Sequence, residues 1–368
     1  MTKAGFLTKL RDAISALPAE AREDAITFFS TQLDDRIEEG MTEAEAVEAL
    51  GDFREIAAAL LEEHAQAAIP AADTAQPQNE RGQSNRPEPR SFATESRPRT
   101  IELTETNCAV ELLPSPDGQI RIEYEVTRWI SVDITCDNDR LIYTAKEIFH
   151  FFHWDIISRK PARLYLPAGY LPNAVIRTGN ARLTAANVSF DTAELKTGNA
   201  ALSLAHLTAN QLTAKTGNAA LTAEHITAPH LKLTTGNAAL TAKHCTADSL
   251  ELKTSNSALR TEHITAKTLD AITANGRNIA EHITAATVSL TSANGRVELQ
   301  NVTADNISLR TSNAAIIATL PGSIADYRIE SKTVNGSSSL PSHKAKGEKS
   351  LVAVTSNGKI DVVFAADQ

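Results

Sequence analysis

The chain is poor in the residues from which most cores are made. Of its 368 residues only 5% are aromatic, two are Met and three are Cys. Hydrophobic residues still make 42% of it, so a core has to rest on small and branched aliphatics. Cys108, Cys136 and Cys245 are odd in number and show no paired spacing, which excludes a disulfide scaffold and fits a reducing compartment. No uninterrupted apolar run approaches the ~20 residues that span a bilayer. Near the N-terminus Phe6-Leu7 is followed by Lys9, Arg11 and Asp12, which break a signal-peptide core. The expected location is therefore the cytoplasm, with no transmembrane segment. A basic excess is missing as well: 36 Lys+Arg face 45 Asp+Glu, a net charge of −9. That argues against a nucleic-acid binder, which needs a basic face. Nucleophile elbow, phosphate loop, dinucleotide fingerprint and Cys-x-x-Cys are all absent, so neither catalysis nor a cofactor is expected.

What is present divides into three parts. Over residues 1–66, Phe6, Leu7, Leu10, Ile14 and Leu17, then Ile26, Phe29, Leu33 and Ile37, recur at the three- and four-residue steps of a helix face. Pro18 suits a helix start and Gly40 a stop; Thr42 with Glu45 is a capping-box signature. Asp52 with Glu55 repeats it before Phe53, Ile56 and Leu60. Four short helices are predicted. This part holds six basic and fifteen acidic residues, a net of −9, so residues 67–368 balance to zero. An acidic helical module points to a protein partner with a basic face. Residues 67–99 carry five prolines and almost no large apolar side chains, and read as a disordered tether. From residue 100, Ile120, Ile122, Tyr124 and Val126 alternate with polar residues, as do Ile130, Val132 and Ile134, and strands are expected to the end.

Self-similarity decides the expected fold. Asn180, Asn199, Asn218, Asn237, Asn256, Asn275, Asn294 and Asn313 follow one another at intervals of 19 residues. Three residues past each lies Leu183, Leu202, Leu221, Leu240 or Leu259, then Val297 and Ile316, with Asn278 breaking the column. Such units cannot bury their apolar side alone but can when stacked. The prediction is a mainly β protein: a parallel β-solenoid with one coil per 19 residues over 100–368, preceded by a small α-helical bundle. The Asn column reads as a structural ladder at tight corners in left-handed conformation, with amides hydrogen-bonded between coils. Cys245 falls in an Ile/Val/Leu column and reads as a small buried hydrophobe.

The sharpest candidate for binding is a second column. His206, His225, His244, His263 and His282 lie on five successive coils, with Asn187 and Asn301 at the ends. Three readings stand open: a surface ladder of stacked, mutually hydrogen-bonded imidazoles; metal capture by neighbouring rings; and a response to acid, since stacked rings resist simultaneous protonation. The group Phe149, His150, Phe151, Phe152, His153 and Trp154 reads as an edge or cap packed on the solenoid, or, if exposed, as a partner site.

The stretch from Gly40-Met41-Thr42-Glu43 through Leu50-Gly51-Asp52 to Glu55-Ile56-Ala57 resembles the HAAS-type helical signalling module. That resemblance implies a signalling or docking role, and a link to PadR-type transcriptional regulators. The Thr-Gly-Asn-Ala repeats, with Phe151-Phe152 and Leu164-Tyr165-Leu166-Pro167 before them, resemble a bacterial β-strand-repeat family labelled as adhesins. No enzyme activity attaches to that family. The expected function is a non-enzymatic scaffold, its module docking a signalling partner and its solenoid offering a surface. The alternatives are an exported or surface-associated adhesin and a polysaccharide-acting solenoid enzyme. Self-association through uncapped end coils is a further possibility, which residues 321–368 are expected to limit.

Overall fold

The computed structural model describes residues 1–38, 41–66, 78–81, 87–127, 130–147 and 159–367. The chain forms two units, Met1–Thr74 and Ala75–Gln368. In the first, α1 (Lys3–Ala13), α2 (Ala19–Glu38), α3 (Glu43–Leu50) and α4 (Phe53–Gln66) bury Phe6, Leu10, Ile14, Phe29, Leu33, Val47, Leu50 and Ile56. Phe6 and Phe29 meet edge to face, 6.3 Å between centroids. The capping box before α3 forms as expected. Glu45 N–H donates to Thr42 Oγ1 at 3.4 Å, and Thr42 N–H donates to the Glu45 carboxylate at 2.9 Å. Gly40, expected to stop α2, lies outside the described residues.

The second unit is the parallel β-solenoid. Each coil pairs residue for residue with the coil 19 positions on: Leu202 with Leu221, Leu221 with Leu240, Leu240 with Leu259. The inward columns are buried, Leu183 through Ile316 included. The Ala column leaves room for no ring; the buried aromatics Tyr124, Tyr143 and Phe190 lie near one end and Tyr327 and Phe364 near the other. Thr216, Thr235 and Thr254 are buried at the corner and donate to carbonyls of the preceding coil at 2.9–3.0 Å.

Both chain ends of the solenoid are drawn inside the stack. Residues Thr100–Pro114 pair on one side with Asn173–Thr178 and Leu183–Ala185, and on the other with Arg140–Thr144 and Ala162–Leu166. The C-terminal segment does the same: Lys349–Val354 lies between Asn306–Arg310 and Tyr327–Lys332, and Ile360–Phe364 pairs with Ile316–Leu320. The coil built on Asn335 is thus outermost, although Asn357 comes later in the chain. Thr100–Pro114 and Lys349–Val354 are each paired along both edges, so neither presents a frayed layer.

The tether expected over 67–99 is shorter than composition suggests. Glu88–Thr94 pairs antiparallel with Ile120–Val126, and Gln78–Arg81 with Ser131–Ile134. Composition weighs side-chain burial; these strands are held by backbone hydrogen bonds to an existing sheet edge, with Phe92 packed against the core. Residues 67–77 and 82–86 lie outside the described residues, as does the aromatic group Phe149–Trp154.

Candidate functional site

The histidine column begins as a backbone problem. At this corner each coil turns through one residue in the left-handed region. The residues with φ of 50–56° are Asn187, His206, His225, His244, His263, His282 and Asn301. Among residues with a side chain, Asn, Asp and His tolerate that conformation best. This explains why the column holds only Asn and His. It also corrects the expectation for Asn180, Asn199, Asn218, Asn237, Asn256, Asn275, Asn294 and Asn313, none of which has positive φ. Their corner is tight for another reason: a Cβ on Gly217 or Gly236 would collide with the carbonyl oxygen of the coil before it.

The Asn column is a hydrogen-bonded ladder. Each Nδ2 donates to the Oδ1 of the neighbouring rung at 2.6–2.8 Å, all in one direction. The ladder extends beyond the repeat: Asn180 donates to Asn107 at one end, while Asn357 donates to Asn313 and Asn335 to Asn357 at the other. Among the described residues that makes eleven rungs.

The five imidazoles stand as a second ladder of different physics. Neighbouring ring centroids are 4.6–4.8 Å apart and the planes lie within 7° of parallel. That spacing is the strand separation of the sheet itself. Parallel rings point their N–H groups outward, not at each other, so the rungs stack instead of hydrogen-bonding as expected. All five rings are exposed at their edges. Two Zn–N bonds of about 2.0–2.1 Å laid end to end span only about 4.1 Å, less than the ring separation. Among the described residues no group of three or more His, Cys, Asp or Glu is placed to hold a metal.

Charges beside the ladder are local. His225 Nε2 lies 3.9 Å from the Glu224 carboxylate and His263 Nε2 3.8 Å from that of Glu262. Lys243 bridges to Glu262 at 2.8 Å, and that hydrogen bond holds the Glu262 carboxyl below its ordinary range. Alongside run the exposed Thr208, Thr227, Thr246, Thr265, Thr284 and Thr303, two residues past each rung. Toward the C-terminal end a shallow groove is lined by His263, His282, Thr265, Thr284, Asn301 and Thr303. The threonine column was readable at 19-residue spacing but did not stand out beside the histidines. Cys245 is fully buried, and burial pushes its thiol up to about 11, so it is no nucleophile.

One cluster had no signal in the sequence. Near the base of the solenoid the buried Glu105 accepts from Tyr143 Oη at 2.8 Å and pairs with Arg159 at 3.2 Å. Burial, then the Glu105 charge, keeps the Tyr143 phenol protonated. Tyr143 reaches Glu105 through the parallel pairing of Thr100–Thr104 with Arg140–Thr144, and Arg159 joins them from 54 residues further along the chain than Glu105.

Two family models match the chain. The family model described as Toastrack DUF4097 matches residues 99–367, and the HAAS model matches residues 5–59. No curated protein matches the chain. Two solved structures are similar. One is titled a "putative cell adhesion protein" from Clostridium sporogenes, 8% identical, covering 76% of this chain and all of that one at a TM-score of 0.23. The other is titled a "putative adhesin" from Bacteroides fragilis, 10% identical, covering 77% of this chain and all of that one, also at 0.23. With its 19-residue coils, corner ladders and a family match over most of its length, the chain belongs to the Toastrack DUF4097 family and carries a HAAS module at its N-terminal end.

Proposed function

We propose that this protein is a non-enzymatic interaction scaffold, in which the acidic helical module docks a protein partner and the solenoid offers a repetitive binding surface. The observation that carries this is the placement of charge: the whole net −9 resides in residues 1–66, the part that contains the HAAS match over 5–59. Asp12, Glu48 and Glu55 are among its exposed carboxylates. A field of one sign on a small module steers a partner of opposite sign. The solenoid contributes regularity, since its exposed His and Thr columns present the same chemistry on successive coils. The partner class that the resemblance implies is a PadR-type transcriptional regulator. The unpaired Cys108, Cys136 and Cys245 support a cytoplasmic setting, which cell fractionation checks directly.

The test compares full-length protein with two variants. One reverses Asp12, Glu48 and Glu55 to Lys; the other replaces the five ladder histidines by Asn. Titrated against a PadR-type regulator, and in co-purification from the cytoplasmic fraction, the charge-reversed variant should lose the partner and the ladder variant should keep it. Undiminished, salt-insensitive binding by the charge-reversed variant would refute the reading.

A further inference from the structure

Four corner asparagines are followed by glycine: Asn275-Gly276, Asn294-Gly295, Asn335-Gly336 and Asn357-Gly358. Asn-Gly is chemically the dipeptide most open to deamidation, because no glycine side chain hinders the backbone nitrogen as it attacks the asparagine Cγ. In three of the four the attacking group is held. Gly276 N–H donates to Thr273 Oγ1 at 3.2 Å, Gly295 N–H to Ser292 Oγ at 2.9 Å and Gly358 N–H to Thr355 Oγ1 at 3.2 Å. Their amides are held as well, each donating through Nδ2 to one rung and accepting through Oδ1 from the next.

Asn335 differs on both counts. It is the last rung, so its Nδ2 donates to Asn357 while its Oδ1 receives no donor among the described residues. The Gly336 N–H likewise finds no acceptor among the described residues; the nearby Thr333 hydroxyl donates to Gly358 O at 3.0 Å. Both residues are exposed on the outermost coil, next to Val334, which is 67% exposed.

We propose that Asn335 is a deamidation site at the free end of the asparagine ladder, with water as the only co-reactant. The Gly336 nitrogen bonds to Asn335 Cγ, the Cγ–Nδ2 bond breaks, and the glycine N–H proton leaves by way of solvent with the departing ammonia. The resulting succinimide takes up one water at either of its carbonyls, opening to aspartate or isoaspartate with no change of oxidation state. The new carboxylate has no N–H for Asn357 Oδ1 and sets a negative charge against it. The last rung is lost and the outer coil over residues 327–340 loosens.

Peptide mapping by mass spectrometry tests this on the full chain, aged in mildly alkaline buffer with a parallel sample in denaturant. In the native protein Asn335 should react roughly tenfold faster than Asn275, Asn294 and Asn357, the rate equivalent of about 1.4 kcal/mol of lost restraint. In denaturant the four rates should converge. Equal native rates, or any of the other three reacting first, would overturn the assignment. As a second arm, Asn335→Asp should speed amide exchange across 327–340 and leave residues 202–310 unchanged; exchange like that of the parent would overturn the loosening.

Discussion

At the scale of single residues, two buried polar groups carry more than their numbers suggest. Asn278 occupies the Leu column and is fully buried. Its Nδ2 donates to Ala271 O at 2.6 Å, but among the described residues its Oδ1 has no partner. An orphaned buried acceptor costs about 1–3 kcal/mol. Asn278→Leu, which restores the column, should therefore stabilise the solenoid by an amount of that order, read as a higher urea midpoint at unchanged slope; a lower midpoint would show that the amide is needed. The break in the column was visible in the sequence, but a reader of the sequence could not know that the side chain still points inward. Glu105 and Arg159 show the opposite case. Removing one member of a buried pair strands the other, typically at about 3–5 kcal/mol. Arg159→Met should fall in that range in chemical unfolding, and Glu105→Gln with Arg159→Met should recover part of the loss. Nothing in spacing or composition marked this pair, because buried charges meet through topology alone.

Elements repeat that lesson in their corners. The two ladders look alike as sequence columns but rest on different backbones. The Asn corner is set by close approach of stacked coils, and its amides supply cross-coil hydrogen bonds. The His corner is set by a left-handed residue, and its rings stack as a consequence. Asn187 and Asn301 hold the same left-handed turn at the two ends of the column, so the corner needs the turn and not the ring. The variant with five Asn in place of His206, His225, His244, His263 and His282 should therefore melt within a few degrees of the parent; a markedly lower melting temperature would show that ring stacking itself holds the corner.

For the solenoid as a whole, the question is what stops its ends from stacking. Parallel coils expose an open edge at each end, and such an edge templates further strands. Here the outer strand Tyr327–Lys332 is covered by an antiparallel return at His343–Lys344. Lys344 Nζ donates to the carbonyls of Ala325, Tyr327 and Lys346 at 2.6–3.1 Å, filling acceptors that another coil would otherwise claim. The full-length protein should sediment as a monomer at high concentration. Lys344→Ala should introduce concentration-dependent association in analytical ultracentrifugation, together with faster exchange over 327–332. A monomer with parental exchange would show that the strap is dispensable.

The sequence by itself determined the period, the parallel stacking and the aliphatic core, because a 19-residue repeat of one-residue columns has few ways to bury its apolar side. It also placed the helical module and its acidity, since helix faces and caps are local. Tertiary structure alone decided the rest. It chose which column takes the left-handed turn, since φ depends on how each coil closes. It drew both termini one layer into the stack, extending the Asn ladder to Asn107, Asn357 and Asn335, which share no common interval with the repeat. It recruited Glu88–Thr94 from an apparent tether, because a sheet edge supplies hydrogen bonds that no composition records.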